Sequence, residues 1–298
     1  MAFPQASAID RRRMLVDDNL LRFLERGVQG VPDKLRDAME YSVSAGGKRV
    51  RPVVLLSAGV AVGGDERDLL PFACAIEYVH TYSLIHDDLP AMDDDDFRRG
   101  KPSSHKVFGE ATAILAGDAL LTEAFRVMGE SPLAEKDPGR AMAAVGVLAR
   151  AAGAEGMVGG QQLDLLAEGM QADPLVKEEI DIRKTSALLS AAARMGGILG
   201  GGVDEQVANL AAYGRALGLL FQVTDDILDE TGSFEEMGKC VSKDRERGKM
   251  TYPVVFGMDA AMARADGLGG EALAALSSFG EEADALRDIV RLVAARRS

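Results

Sequence analysis

The 298-residue sequence has little cysteine and no long run of uncharged residues. Cys74 and Cys240 are too few and too isolated to form a disulfide framework or a Cys-ligated metal site, so we expect both to be reduced. The longest stretch without a charged residue, Pro52 to Gly64, falls well short of the ~20 residues that a membrane-crossing helix needs. The sequence therefore predicts no membrane span.

Several other signals are missing from the sequence. Arg11, Arg12 and Arg13 are not followed by an apolar segment, so no secretory signal is predicted and a cytoplasmic location is expected. Serine and cysteine nucleophile signatures are absent, as is the glycine-rich GxxxxGK[ST] loop that binds nucleotides. These absences argue against hydrolases and kinases.

Positive charge is in the minority, with 34 Lys and Arg against 47 Asp and Glu and a net charge of -13. A surface of this sign repels nucleic acids and anionic lipid headgroups, so neither is predicted as a partner. A small phosphorylated substrate would be repelled too, unless metal ions and a local basic cluster reverse the field at one place.

Strand signals are also lacking, because short alternating runs bounded by turn dipeptides do not occur. Ala, Leu, Glu, Arg and Met dominate between the prolines, so helix is predicted nearly everywhere. We predict an all-α fold without a sheet, one domain over 1–298 formed by a bundle of about ten or more helices. The predicted helices lie near 7–26, 32–45, 50–62, 66–88, 104–130, 138–170, 176–200, 204–231, 251–264 and 270–296. The breaks at 90–102 and 232–248 are predicted surface loops that close over the site.

Two acidic clusters stand out, and the first is the segment HDDLPAMDDDDFRRG. On a regular helix, at about 100° per residue, Asp93 would lie about 240° round the axis from Asp87. Pro90 supplies the departure from the helix that lets both face one ion. Carboxylate oxygens suit Mg²⁺, which is usually bound by one or two carboxylates together with substrate phosphates. A solvated acidic loop would be the better interpretation if this cluster stood alone.

The second acidic cluster, FQVTDDILDE, lies inside an apolar helical stretch. Asp225 and Asp229 are four residues apart and share a helix face, where two like charges destabilise the helix. An ordinary core role is therefore a poor explanation for them. Asp164, in GGQQLDLL, has similarly uncharged surroundings and is a candidate third acid for the same metal site.

Basic residues form the other half of the pattern. GGKRVRP brings Lys48, Arg49 and Arg51 together, and Arg98 and Arg99 follow the first acidic cluster. Arginine pairs suit bidentate phosphate contacts, although a lone basic side chain is usually a solvated surface charge. His80 lies about 20° off the helical face of Asp87 and is placed to reach a second diphosphate.

These motifs identify the sequence as similar to the trans-isoprenyl diphosphate synthase family, and it most resembles the bacterial farnesyl diphosphate synthases. DDLPAMD resembles the first aspartate-rich motif of the family, DDILD resembles the second, and GGKRVRP resembles its upstream basic motif. The resemblance runs from GGKRVRP to GKMTYP and implies an all-helical fold around a central active-site cavity, an Mg²⁺-dependent prenyltransferase and a homodimer.

The resemblance also implies a role for each matching residue. The implied ligands of two or three Mg²⁺ ions are Asp87, Asp88, Asp93, Asp164, Asp225, Asp226 and Asp229. The implied contacts of the allylic diphosphate are Arg98, Lys184, Lys239 and Lys249, and those of isopentenyl diphosphate are Gly47, Lys48, Arg51, His80 and Arg99. Thr185 and Gln222 match residues whose oxygens face the allylic cation, and with Lys184 they are the implied catalytic residues.

Product length is predicted from the helix that precedes the first acidic cluster. Tyr82 and Ser83 lie about one turn before Asp87, where a bulky side chain would limit the product. In related synthases an aromatic residue at the position of Tyr82 favours farnesyl diphosphate, so this product is predicted; packing of Tyr82 in the core is the alternative. Geranylgeranyl diphosphate synthase, a class I terpene cyclase and a non-catalytic subunit stay open as other functions.

Overall fold

Helices form almost all of the computed structural model, which describes residues 7–27, 30–231 and 250–296. The all-α prediction is confirmed. In the first part of the chain the helices are α1 (Ala8–Gly27), α2 (Asp33–Val43), α3 (Val50–Ala61), α4 (Glu66–Asp87), α5 (Ser104–Phe108), α6 (Glu110–Gly129), α7 (Pro132–Lys136) and α8 (Pro138–Ala152). In the second part they are α9 (Met157–Ala167), α10 (Pro174–Ile180), a π-helical segment (Asp181–Ser186), α11 (Ala187–Leu199), α12 (Asp204–Thr231), α13 (Tyr252–Phe256), α14 (Met258–Ala275), a 3₁₀ turn (Glu281–Ala283) and α15 (Asp284–Ala295).

The prediction that no sheet is present was wrong in one detail. A short antiparallel hairpin pairs β1 (Phe97–Arg98) with β2 (Lys101–Pro102) within the predicted 90–102 loop. Arg99 and Gly100 connect the strands with φ of 53° and 76°, the left-handed conformation that a tight hairpin turn requires of both residues. Arginine rarely adopts this conformation, so the sequence signal for a hairpin was weak.

Several predicted helices are split in the structure. The 104–130 helix is interrupted at Gly109, whose φ of 87° is open to glycine but costly for other residues. The 138–170 helix is broken at residues 153–156, and the 176–200 helix contains the π-helical segment. Hydrophobic periodicity continues across such breaks, which is why it did not reveal them.

The chain groups into two compact units, Met1–Leu56 with Asp65–Val145 and Ser57–Gly64 with Gly146–Ser298. The single domain over 1–298 stays a prediction. In the first unit α4 is buried on most faces and packs against α1 and α6. The free thiol of Cys74 lies inside this helix, where burial raises its pKa, whereas Cys240 lies outside the described residues.

In the second unit α12 is the central helix and packs against α11, α14 and the π-helical segment. Glycine makes the closest of these approaches possible. A Cβ atom on Gly218 would lie 2.5 Å from the Cα of Ser186, and one on Gly214 would lie 2.6 Å from the carbonyl oxygen of Leu189. The backbone of α12 therefore lies directly against the segment that carries Lys184 and Thr185.

One stretch of helix, Pro138–Ala167, is long and apolar enough to cross a membrane by length and composition, although the sequence predicted no span. The turn at 153–156 divides this stretch into α8 and α9. The stretch is therefore not one continuous helix. Arg150, near the end of α8, pairs with Glu155 of the turn at 3.0 Å.

We predict that Gly218→Ala lowers the free energy of unfolding by about 1–3 kcal/mol, because the added methyl group meets backbone that has to move. Gly270→Ala in α14 is the matched control, since no atom lies within 4 Å of the place that its Cβ would occupy. It should be neutral or stabilising by up to about 1 kcal/mol. Denaturant unfolding of both variants measures the difference, and equal stabilities would contradict the close packing of α12.

Candidate active site

The first acidic cluster begins where α4 ends. Asp87 is the last residue of α4 and Asp88 caps it. Beyond the cap the backbone N–H of Asp93 donates to the carbonyl oxygen of Asp87 at 2.7 Å, and that of Asp95 donates to Asp88 at 3.2 Å. The chain thus folds back on the helix end, as Pro90 predicted, and the backbone of Asp93 lies beside that of Asp87.

Arg98 neutralises this fold-back segment. Its Nε donates to Oδ1 of the buried Asp88 at 2.9 Å, and Nη2 lies 3.3 Å from Oδ2 of Asp95. Burial opposes the charge of Arg98, but the hydrogen bond to Asp88 and the charges of Asp88, Asp87 and Asp93 raise its pKa above the ordinary value. Three of the predicted metal ligands therefore act on the same guanidinium.

A cluster of arginines lies next to this segment in the first unit. Arg49 is buried and donates to Glu77 at 2.6 Å and to Asp17 at 2.8 Å. The sequence grouped Arg49 with Lys48 and Arg51, but its contacts give it a structural role inside the unit. Lys48 itself is exposed and Arg51 is half-buried.

Gly47 and Arg99 meet in this arginine cluster. A Cβ atom on Gly47 would lie 2.7 Å from the central carbon of the Arg99 guanidinium, and the φ of 135° at Gly47 disfavours any other residue. Arg99 donates to the carbonyl oxygen of Gly46 and lies 3.9 Å from Glu77. The two glycines of the GGKRVRP motif therefore contact the guanidinium of Arg99, which belongs to the 97–102 hairpin.

Four arginines act electrostatically on His80. Burial and the charges of Arg51, Arg99, Arg98 and Arg49 hold the pKa of His80 well below its ordinary value. Burial and the neighbouring Arg49 and Arg98 likewise lower the pKa of Arg99, against the opposing effect of Glu77. The arginines contribute positive charge that an anion can pair with, whereas burial disfavours charge of either sign.

A third group of possible metal ligands was missed by sequence reasoning. Single ligand atoms of Asp94, Asp96 and His105 all lie within 4.8 Å of one another. His105 is buried, and neither ring nitrogen has a hydrogen-bond partner among the described residues. Asp96 also pairs with Lys106 at 2.7 Å. His105 lies in SSHKVF, where a single histidine carries no signal of its own.

In the second unit the DDILD acids lie on α12, as predicted. Asp225 pairs with Arg296 at 2.9 Å, and the same guanidinium lies over the ring of Phe221 at 5.2 Å. Asp225 and Asp229 are half-buried, whereas Asp226 is buried. Adjacent aspartates on this helix therefore have different environments.

The oxygens of Asp226 accept hydrogen bonds from three protein donors. Oδ2 lies 2.7 Å from Nζ of Lys177 and 2.7 Å from the backbone nitrogen of Tyr252. Oδ1 accepts from Nε2 of Gln222 at 2.7 Å. Sequence reasoning grouped Asp226 with the metal ligands, but its contacts are those of a carboxylate that holds other protein groups in place.

Thr185 and Gln222 meet, as the family resemblance implied for residues of one site. The hydroxyl of Thr185 donates to Oε1 of Gln222 at 2.7 Å. Lys184, its neighbour in the π-helical segment, pairs with Asp164 of α9 at 2.6 Å. Gly160 lets α9 approach, since a Cβ atom there would lie 2.3 Å from the backbone nitrogen of Lys184.

The predicted chain-length residues lie on α4. Tyr82 is buried, its ring meets His86 edge to face with centroids 5.7 Å apart, and no hydrogen bond of its hydroxyl occurs among the described residues. Burial and the charge of Asp87 raise the pKa of Tyr82 to about 12, which places this ring close to the acidic cluster. Ser83 donates to the carbonyl oxygen of His80 at 2.9 Å.

The assigned substrate and metal roles stay predictions, and Lys239 and Lys249 lie outside the described residues. Sequence reasoning missed Glu77, Lys177 and Arg296 as partners of site residues. Glu77 is a charged residue within an apolar helical stretch, a signal that could have marked it, whereas Lys177 is followed by two glutamates and has no such signal. Arg296 carries no such signal, because its partner Asp225 is distant in sequence.

Comparisons with known proteins identify the family of the chain. The sequence profile of the family described as polyprenyl synthetase matches residues 32–288. Geranylgeranyl pyrophosphate synthase 7 of Arabidopsis thaliana is 49% identical over 83% of this chain and 72% of its own length. Farnesyl diphosphate synthase of Bacillus subtilis is 43% identical over 96% of both chains.

A solved structure shows the same fold. The geranylgeranyl pyrophosphate synthetase of Pyrococcus horikoshii superposes with a TM-score of 0.86 at 30% sequence identity, over 96% of each chain. The matched segment 32–288 includes both aspartate-rich motifs and the GGKRVRP motif. The chain belongs to the polyprenyl synthetase family of trans-prenyl synthases.

Proposed function

We propose that this chain is an Mg²⁺-dependent prenyltransferase that condenses isopentenyl diphosphate with dimethylallyl or geranyl diphosphate, giving farnesyl diphosphate and free diphosphate. The observation that carries the proposal is the position of Arg98. Its guanidinium is within the electrostatic reach of Asp87, Asp88 and Asp93, and its charge also lowers the pKa of His80. In the first unit, carboxylates that can bind a cation thus lie beside arginines that can bind an anion.

The donor set fits Mg²⁺. In the first unit Asp87 and Asp93 supply carboxylate oxygens, and in the second unit Asp164, Asp225 and Asp229 do so, with no sulfur or imidazole among them. Two or three bound Mg²⁺ ions are proposed, and when bound they stabilise the negative charge that develops on the leaving diphosphate. Asp88 and Asp226 are proposed to support these ligands, because Arg98 and Lys177 already pair with them.

The basic side chains are proposed to bind and orient the two diphosphates. Arg98 and Lys184, each paired with an aspartate of the site, bind the allylic diphosphate and stabilise its charge as the carbon–oxygen bond breaks. Gly47, Lys48, Arg51, His80 and Arg99 bind isopentenyl diphosphate. Lys239 and Lys249 are assigned to the allylic diphosphate on the family resemblance alone.

Thr185 and Gln222 are proposed to stabilise the allylic cation. Each oxygen keeps a lone pair beyond the hydrogen bond that joins them, and a neutral oxygen stabilises a cation without adding a full negative charge. The double bond of isopentenyl diphosphate then forms the new carbon–carbon bond, and a proton is lost to the departed diphosphate. No protein base is required.

A farnesyl product is proposed because the buried ring of Tyr82 lies close to Asp87, where the growing chain would start. Geranylgeranyl diphosphate is the second candidate, favoured by the 48–49% identity to several geranylgeranyl pyrophosphate synthases of Arabidopsis thaliana. A homodimer and a cytoplasmic location stay predictions.

Excess chelator should abolish diphosphate release, and Mg²⁺ should restore it. Asp87→Asn should lower kcat by about 10²–10³-fold with unchanged helix content, because a ligand is lost while a like charge is removed. Asp288→Asn, an exposed residue that pairs with Arg291, is the matched control. Diphosphate release from isopentenyl and geranyl diphosphate is the assay, and full turnover in chelator would contradict the proposed function.

Tyr82→Ala should shift the product from fifteen towards twenty or more carbons, because removing the ring deepens the space along α4, and Ser83→Phe should shift it towards ten. Tyr82→Phe keeps the bulk without the hydroxyl and should leave the products unchanged. Chromatography of the dephosphorylated products measures the distribution. An unchanged distribution in a well-folded Tyr82→Ala enzyme would place the limit on chain length elsewhere.

Acid should destabilise the protein through His80. The folded state keeps His80 neutral, whereas the unfolded chain takes up a proton near the ordinary pKa of about 6.5. The unfolded state therefore binds more protons, and the contribution of His80 to stability is lost as pH falls through about 6.5. Between pH 7.5 and about 5.5 the melting temperature of His80→Asn should fall less than that of the wild type. If the melting temperatures of the two proteins fall in parallel, His80 takes up its proton in the folded state as it does in the unfolded chain.

A further inference from the structure

A buried ion cluster lies beneath the second acidic motif in the second unit. Lys177 is 3% exposed, Asp181 is 3% exposed and Asp226 is 4% exposed. The ammonium of Lys177 lies 2.7 Å from Oδ1 of Asp181 and 2.7 Å from Oδ2 of Asp226. One lysine therefore joins the first residue of the π-helical segment to the central helix α12.

Burying these charges is costly unless each has a partner. Removing one partner of a buried pair leaves an uncompensated charge and is strongly destabilising. Although burial opposes the charge of Lys177, Asp226 and Asp181 raise its pKa above the ordinary value, so the ammonium stays charged. Burial and the neighbouring Asp226 raise the pKa of Asp181, with Lys177 opposing them.

The cluster continues into the residues assigned to the allylic cation. Asp226 accepts from the amide NH₂ of Gln222, which turns the amide oxygen of Gln222 towards the hydroxyl of Thr185. Each of these two contacts is 2.7 Å long. Asp226 can fix the amide in only one of its two orientations, because a carboxylate accepts hydrogen bonds and does not donate them.

Lys177 fixes Asp226 in turn. The backbone nitrogen of Tyr252 and the ammonium of Lys177 both contact Oδ2, which leaves Oδ1 for Gln222. Without the ammonium, Asp226 and Asp181 would be two buried carboxylates with no cation between them. Asp226 would then keep two of its three donors, and its orientation towards Gln222 would be less fixed.

We propose that Lys177 is a positioning residue for prenyl transfer: it holds Asp226 in the orientation that directs the oxygen of Gln222 and the hydroxyl of Thr185. The inference rests on the proposed function for the roles of Gln222 and Thr185. It assigns Lys177 no contact with substrate. Its effect is therefore on kcat, through the cation, and not on the binding of isopentenyl diphosphate.

To separate a purely structural role of Lys177 from a positioning role, the stability of the protein is restored without restoring the ammonium group of Lys177. Lys177→Met should lower both the melting temperature and kcat. Lys177→Met/Asp181→Leu replaces the Lys177–Asp181 pair by apolar groups and leaves Asp226 as the one acid of the cluster, still bonded to the N–H of Tyr252 and the amide of Gln222. The double variant should therefore regain part of the melting temperature, yet kcat should stay about 10–100-fold below wild type with KM for isopentenyl diphosphate within about twofold.

The matched control is Lys136→Met, which removes an exposed lysine that pairs with the half-buried Asp68 in the first unit. Its kcat should equal that of the wild type. A double variant with restored stability and kcat within about twofold of wild type would overturn the inference. If the double variant does not fold, Lys177→Gln, which keeps a neutral donor, replaces it. A kcat of Lys177→Gln within about twofold of wild type would likewise overturn the inference.

A second readout does not depend on turnover. In protein labelled with ¹⁵N-glutamine, the side-chain NH₂ signals of Gln222, identified by their loss in Gln222→Glu, should shift in Lys177→Met/Asp181→Leu and stay in place in Lys136→Met. Unchanged signals in the double variant would overturn the inference. A wild-type protein that releases no diphosphate would instead contradict the proposed function, and the amide signals would still decide whether Lys177 orients Gln222.

Discussion

A carboxylate inside a helical core is stable only when positive charge or several hydrogen-bond donors reach its oxygens. This requirement organises both units. In the first unit the buried acids Glu77 and Asp88 pair with Arg49 and Arg98. In the second unit the half-buried Asp164 and the buried Asp226 pair with lysines. Each pair joins two helices or a helix and a loop, so the ion pairs also fix where the site residues lie.

The same requirement bears on how a strongly acidic chain would bind the diphosphates of the proposed function. A net charge of -13 repels them over the surface as a whole. Around His80, arginines from GGKRVRP and from the 97–102 hairpin come together. Glu77 and Asp17 pair with Arg49, and Asp88 pairs with Arg98. Positive charge is thus gathered at one place in a chain that is acidic as a whole.

Sequence patterns predicted the helices and the acidic motifs well where the relevant interactions are local. The helix predicted over 204–231 is α12, and the departure of the chain beyond Asp87 follows from Pro90. Partners from distant parts of the sequence were not predictable in this way. The pairs Asp225–Arg296 and Asp226–Lys177 depend on how helices pack. The local sequence PLVKEEI does not indicate which carboxylate Lys177 pairs with.

The π-helical segment Asp181–Ser186 has a consequence for how this chain can change in evolution. The N–H of Ala187 donates to the carbonyl oxygen of Ile182, five residues earlier, so this turn holds one residue more than an α-helical turn. Deleting a single residue here would restore regular α-helix and change which side chains face the site within the turn that carries Lys184 and Thr185. Every side chain of the site would still be encoded, yet Lys184 and Thr185 would no longer meet Asp164 and Gln222. The length of this segment is thus a requirement separate from that on its amino acids.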